Sequence, residues 1–129
     1  MPLGSALPDF AFIEADVTFL PAKDAAFGGR PSPLNGYKYQ PHIVIGDPGQ
    51  RYAVVDDRNT IREKYLGVSF RTGPESLHSG VPVKVTLALM YWPREIYEAV
   101  VPEATFTIRE GADIVGYGTV SRRWTGKAK

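Results

Sequence analysis

Phe106–Val120 reads FTIREGADIVGYGTV, and no other stretch says as much about the fold. Ala104, Phe106 and Ile108 alternate with Thr105, Thr107 and Arg109, the period-two rhythm of a strand with one face in a core and the other outside. Gly111 to Asp113 supplies turn chemistry, and Ile114 to Val120 runs back as a second strand. Within that return strand Gly116 and Gly118 alternate, where missing side chains mark a tight bend or the close approach of another backbone. The stretch predicts a β-hairpin that belongs to a closed sheet.

Working outward, Val81 to Tyr91 places Val81, Val83, Val85, Leu87, Leu89 and Tyr91 on one face and Lys84 and Thr86 on the other. Ala88, Met90 and Trp92 suggest that the second half of this strand is covered on both faces. Ala11 to Phe19 has the same rhythm, with Glu14, Asp16 and Thr18 between apolar odd positions. His42 to Ile45 and Tyr52 to Asp56 read as a hairpin across Asp47-Pro48-Gly49, because Pro presets one turn dihedral and Gly permits a positive φ. Val68 to Phe70 is a further short strand, Asp57 to Tyr65 reads as loop, and Pro21 to Gly36 is a long structured loop broken by Gly28-Gly29, Pro31 and Pro33. The sum is an all-β chain, a small antiparallel β-barrel of six or seven strands with closure favoured over an open sandwich.

Composition sets the outer bounds. The 129 residues suit one domain, and 13 Gly with 11 Pro leave little room for a long helix. Lys and Arg number 15 against 14 Asp and Glu, which argues against binding driven mainly by phosphate neutralisation. Without cysteine there is no disulfide framework and no thiolate chemistry, and a reducing, cytoplasmic location is expected. No apolar run suits a membrane span or an export signal. Residues 1–9 read as a disordered N-terminus or tag remnant, 10–124 as the barrel and 125–129 as a basic tail. From Arg122 to Lys129 the chain carries four positive charges and no acid.

Three blocks in order resemble the third, C-terminal β-barrel domain of elongation factor Tu, over roughly Phe10 to Trp124. They are Phe12 to Leu20, the Gly28-Gly29-Arg30 loop followed by Tyr39-Gln40-Pro41-His42, and Phe106 to Val120 with its Arg-Glu-Gly turn and both strand glycines. The second block also registers as Tyr37-Lys38-Tyr39-Gln40; the first register is preferred because it aligns Ile43 and Ile45 with an apolar strand. The resemblance implies a non-enzymatic binding module, since in that family this domain contacts the T-stem of aminoacyl-tRNA and packs against a GTPase domain. It nominates Arg30, His42, Glu110 and Gly111 for RNA contact, so the expected partner is RNA, tRNA or a translation component. There is no Gly-x-x-x-x-Gly-Lys-Ser/Thr loop to cradle a nucleotide phosphate, so no nucleotide or other cofactor is expected.

A different class of function is a protein-interaction or decoy module, of an immunity type, that imitates the elongation factor surface without binding RNA. Tyr91, Trp92 and Tyr97 are its candidate interface, because Tyr and Trp dominate protein interfaces; alternatively they close one end of the barrel. His42 reads equally well as a structural histidine. Glu110 either accepts a sugar hydroxyl or bonds a neighbouring group, and Arg30 is either a phosphate ligand or an exposed loop residue. His78 sits between Ser76 and Ser79, but near neighbours on a turn rarely aim together for nucleophilic catalysis. Asp56-Asp57 lacks the spaced oxygens of a cation loop and reads as a turn, so no metal is expected.

Overall fold

A computed structural model describes residues 10–21, 30–31, 34–36, 38–58, 63–91 and 95–126, with 30 and 31 described by their backbone alone. Residues 1–9, Trp92 and 127–129 lie outside the described residues. The elements are β1 (Phe10–Phe19), β2 (Arg30–Pro31), β3 (His42–Ile45), β4 (Leu66–Thr72), β5 (Ser76–Leu77), β6 (Val83–Leu89), a 3₁₀ turn (Glu95–Tyr97), β7 (Thr105–Glu110) and β8 (Asp113–Gly126). Six of the strands form a closed antiparallel barrel in the order β1-β6-β4-β3-β7-β8, while β2 and β5 pair apart from it. Among the described residues no helix is long and apolar enough to cross a membrane.

The alternating residues go where their periodicity sends them. Ala11, Ile13, Ala15, Val17 and Phe19 are all buried, and with Ile43, Val68, Phe70, Val85, Leu87, Phe106 and Ile108 they fill the barrel. Each fully buried aliphatic or aromatic side chain of this kind contributes about 1.5–3 kcal/mol. The paired glycines have the reason that their spacing suggested. A Cβ on Gly116 would lie 2.8 Å from the Thr18 carbonyl oxygen, and one on Gly118 would lie 2.6 Å from the Asp16 carbonyl oxygen and 2.8 Å from the Phe106 ring. Here β8 passes so close to β1 that the inner wall has no space for a side chain.

Three expectations need correction. Tyr52–Asp56 is not a strand returning along β3, whose neighbours are β4, paired through His42 and Ile43 with Gly67 and Leu66, and β7, paired along its length, His42 to Ile45 with Arg109 to Phe106. The Asp47-Pro48-Gly49 turn itself does form, with the Gly49 amide donating to the Asp47 carboxylate at 2.8 Å and the Gln50 amide to the Asp47 carbonyl at 3.2 Å. Val81 and Tyr91, the ends of the apolar face of the sixth strand, are half exposed, since β6 stops inside them; Ala88 in its second half is buried. The last strand does not stop at Val120 or Trp124 either, but pairs with β1 as far as Gly126.

That extension depends on a β-bulge. Ala15 pairs with Val120 and Glu14 with Arg122, leaving Ser121 as a surplus residue. One extra residue reverses which side each following residue faces. Gly116, Gly118 and Val120 therefore line the inside, whereas Arg122 and Trp124 lie beside Glu14 and Phe12 on the outside. Arg123, between them, turns toward the barrel end and donates to the carbonyls of Tyr97 and Val100 at 2.9 and 3.0 Å.

Candidate functional site

The Arg-Glu-Gly turn gathers three of the residues singled out in the sequence, His42, Glu110 and Gly111, and its polar groups are bonded within the chain. Arg109 faces outward from β7 yet is 0% exposed, because a covering segment, described at 47–58 and 63–65, lies over this wall of the barrel. The Glu63 carboxylate meets its guanidinium head-on, at 2.8 Å from Nη1 and 2.9 Å from Nη2. Nε donates to the Thr107 hydroxyl at 2.9 Å, and Nη1 also reaches the Tyr65 hydroxyl at 3.1 Å. A buried guanidinium demands such partners, and a fork-to-fork carboxylate is the geometry that satisfies it best.

Glu63 is as fully engaged as its partner. Its two oxygens also accept from the Val54 amide at 2.8 Å and the Gln50 side chain at 2.7 Å. Hydrogen bonding from Arg109 is the largest cause that holds this carboxyl down to about 2, against an opposing effect of burial. The guanidinium of Arg109 is pushed the other way; burial, the largest single influence, lowers it, and the bonds to Glu63 and Tyr65 together outweigh that.

Three of the four residues nominated for RNA contact sit around this ion pair, and Arg30 is placed apart from it. The Gly111 carbonyl accepts the Tyr65 hydroxyl at 2.8 Å, and Gly111 itself has a φ of 62° that the turn requires. The Glu110 carboxylate accepts the Tyr39 hydroxyl; burial first, then Glu110, raises that phenol above its usual range. The ring of His42 lies 5.6 Å from that of Tyr65. Arg30 is placed through its backbone, opposite Leu77 of β5. Periodicity put Arg109 correctly on the outer face but gave no sign that a loop would cover it; a loop carboxylate such as Glu63 has no spacing signature.

The interface candidates separate. Tyr91 is half exposed, Trp92 lies outside the described residues, and Tyr97 is wholly buried. Tyr97 closes one end of the barrel, the second of the roles open to it, its hydroxyl donating to the Gly67 carbonyl at 2.7 Å and accepting the Tyr91 amide at 3.0 Å. His78 is exposed on a turn. Asp56 accepts the Arg58 amide at 2.9 Å, a local turn contact. Among the described residues no group of three or more His, Asp or Glu is placed to hold a metal ion.

A second array emerges on the outer face where the bulge has turned Arg122 and Trp124. The Arg122 guanidinium lies 4.3 Å above the Trp124 ring, Trp124 is 5.8 Å from Phe12, and the Arg71 guanidinium lies 4.6 Å over the other neighbour, Phe12 itself. Phe10 extends the row, 6.3 Å from Phe12. Arg71 reaches Phe12 across β6 because the outward residues between them, Ser69 and Ala88, are small and paired with each other. Two guanidinium groups thus bracket a line of aromatic rings on β8 and β1, and the array as a whole reaches across β6 to β4. Glu14 tempers its charge, lying 3.7 Å from both Arg122 and Lys84. Comparison with protein-family models and with curated proteins finds no match to this chain.

Proposed function

We propose that the chain is a non-enzymatic binding module that engages RNA, and that contact is made on the outer face of β1 and β8 in addition to, or in place of, the Arg-Glu-Gly turn. The reading rests on the Arg122–Trp124–Phe12–Arg71 array. Phe12 is buried, 1% exposed, and backs the Trp124 ring; a Trp ring and guanidinium planes such as these are surfaces on which unpaired bases stack, and the same guanidinium groups reach backbone phosphates. The resemblance to the elongation factor Tu third domain is the second support, and a cytoplasmic location belongs to the same proposal. The turn is the weaker contact, because the Glu110 carboxylate, the Gly111 carbonyl and Arg109 already have partners inside the chain.

The test is fluorescence anisotropy with a labelled single-stranded RNA and with tRNA at low salt. Trp124→Ala and Arg122→Ala should each weaken binding by about fivefold or more, since a stacked base is worth about 1–3 kcal/mol. Arg30→Ala and Glu110→Gln report on the two contacts, on β2 and at the turn, that the resemblance nominates. Absence of binding to either RNA by the unaltered chain would defeat the proposal.

One observation favours a protein partner as a second reading. The covering segment turns Tyr52, Val54 and Val55 outward, with Tyr52 86% exposed, while its underside is bolted down through Glu63. A partner recovered from native lysate by the unaltered chain and lost with Tyr52→Ser would support it.

A further inference from the structure

We propose that the cleft between the covering segment and the 3₁₀ turn binds a small amphipathic cation, an apolar body carrying one ammonium or guanidinium group. The cleft has a volume of about 500 Å³, within the range of small-molecule sites. Its floor is apolar, with Val44 and Ile45 of β3, Leu66 of β4 and Ile96, and a floor of that kind selects an aliphatic or aromatic body.

The lip selects the charge. Among the described residues, Glu95 and Glu98 stand on it, both exposed, against Lys64. Glu63, the third carboxylate of the lining, is neutralised by Arg109 and has its oxygens filled by Gln50 and Val54. The described residues of the lip therefore present a net single negative charge above a greasy floor, complementary to a cation with an apolar body.

The lip is also held in place before any ligand arrives. Glu98 donates its amide to the Glu95 carbonyl at 3.0 Å. Tyr97 between them is anchored to Gly67 and Tyr91 through its hydroxyl, and Arg123 grips the carbonyls of Tyr97 and Val100. A rigid lip spares a ligand the entropic cost of ordering it. The cleft is separate from the aromatic array, and its occupancy does not depend on RNA binding.

The experiment is an amide-resolved NMR titration of the full chain with 4-phenylbutylammonium, 4-phenylbutanol and 4-phenylbutanoate. The ammonium compound should bind at least tenfold more tightly than the carboxylate, with shifts centred on Val44, Ile45, Leu66 and Ile96. Glu95→Gln combined with Glu98→Gln should weaken the ammonium compound about fivefold or more and leave the alcohol unchanged. Ala99→Trp, at an exposed position on the rim, should block all three. An acetylated Leu-Lys-Leu amide tests whether the head can belong to a peptide side chain; binding with the same shift pattern assigns that source, and binding of the free amine alone assigns a metabolite-like ligand. Equal affinity for ammonium and carboxylate, shifts centred elsewhere, or no binding of the ammonium compound would overturn the proposal.

Discussion

Arg109 and Glu63 behave as a unit, and their energetics differ according to whether one or both are removed. Glu63→Leu leaves a guanidinium out of water with its principal acceptor gone, which costs about 3–5 kcal/mol for a buried pair. Replacing both, Arg109→Met with Glu63→Leu, should recover most of that loss, because an apolar pair of similar volume avoids the desolvation of two charges. Urea midpoints of the two variants and the parent give the comparison directly. A small loss in the single variant would mean that the covering segment lifts and lets water reach Arg109. The same pair predicts an acid response. Glu63 is held down to about 2 in the folded chain, below the ordinary glutamate value of about 4.3. Its contribution is therefore fully present above pH about 4.5 and is lost as the pH falls toward about 2, where the folded chain also takes up the proton. Stability measured across that window should fall less steeply in the double variant, which lacks the group.

At the scale of the strand, β8 does two jobs with one stretch of chain, and the division falls at Ser121. Before it the inner positions are glycine, and Gly118→Ala should cost about 1–3 kcal/mol, since the added methyl would press on the Asp16 carbonyl oxygen and the Phe106 ring at under 3 Å. Thermal unfolding of that variant beside Gly126→Ala, where the nearest side-chain atom is 3.8 Å away, separates crowding from the loss of glycine itself. After Ser121 the outer positions carry Arg122 and Trp124. Deleting Ser121 removes only the surplus residue and leaves Glu14 opposite Arg122 and Phe12 opposite Trp124. That variant should fold with the Trp124 emission of the parent; a red shift would show that the bulge is needed to seat the ring. The bulge also explains what was hidden in the sequence. Period two runs through Ala11–Phe19 and, on either side of a register shift at Val115, through Phe106–Val120, and it made those strands legible directly. At Ser121 the phase reverses, so the last residues of the strand resemble an irregular basic tail although they complete the barrel. Tyr52–Asp56 differs for the opposite reason: its apolar residues suit a strand, but the ladder places of β3 go to β7 along its length and to β4 at His42 and Ile43, residues distant in sequence that local periodicity does not reveal.

For the whole molecule, charge decides what kind of RNA binding is possible. Basic and acidic residues nearly cancel, 15 to 14, and the structure cancels them further in place. Arg109 is paired with Glu63, Lys84 lies 3.7 Å from Glu14 and 3.4 Å from Asp16, and Arg123 is spent on the carbonyls of Tyr97 and Val100. Composition alone excluded a strongly basic binder, but it was silent on where the cations stand, because that depends on the bulge and on small residues two strands away. Arg71 and Arg122, the latter 3.7 Å from Glu14, are the guanidinium groups of the array. If they supply the two principal phosphate contacts, the logarithm of affinity for a single-stranded RNA should fall with the logarithm of salt concentration at a slope of about −1.4, at roughly −0.7 for each contact. Binding would then be weak, tolerant of salt and carried mainly by stacking. Arg122→Ala should reduce the slope by about 0.7, while Trp124→Ala should lower affinity at every salt concentration and leave the slope where it was. A slope steeper than about −3 in the unaltered chain would place the contact on a more basic surface than this one and remove the array from the interface.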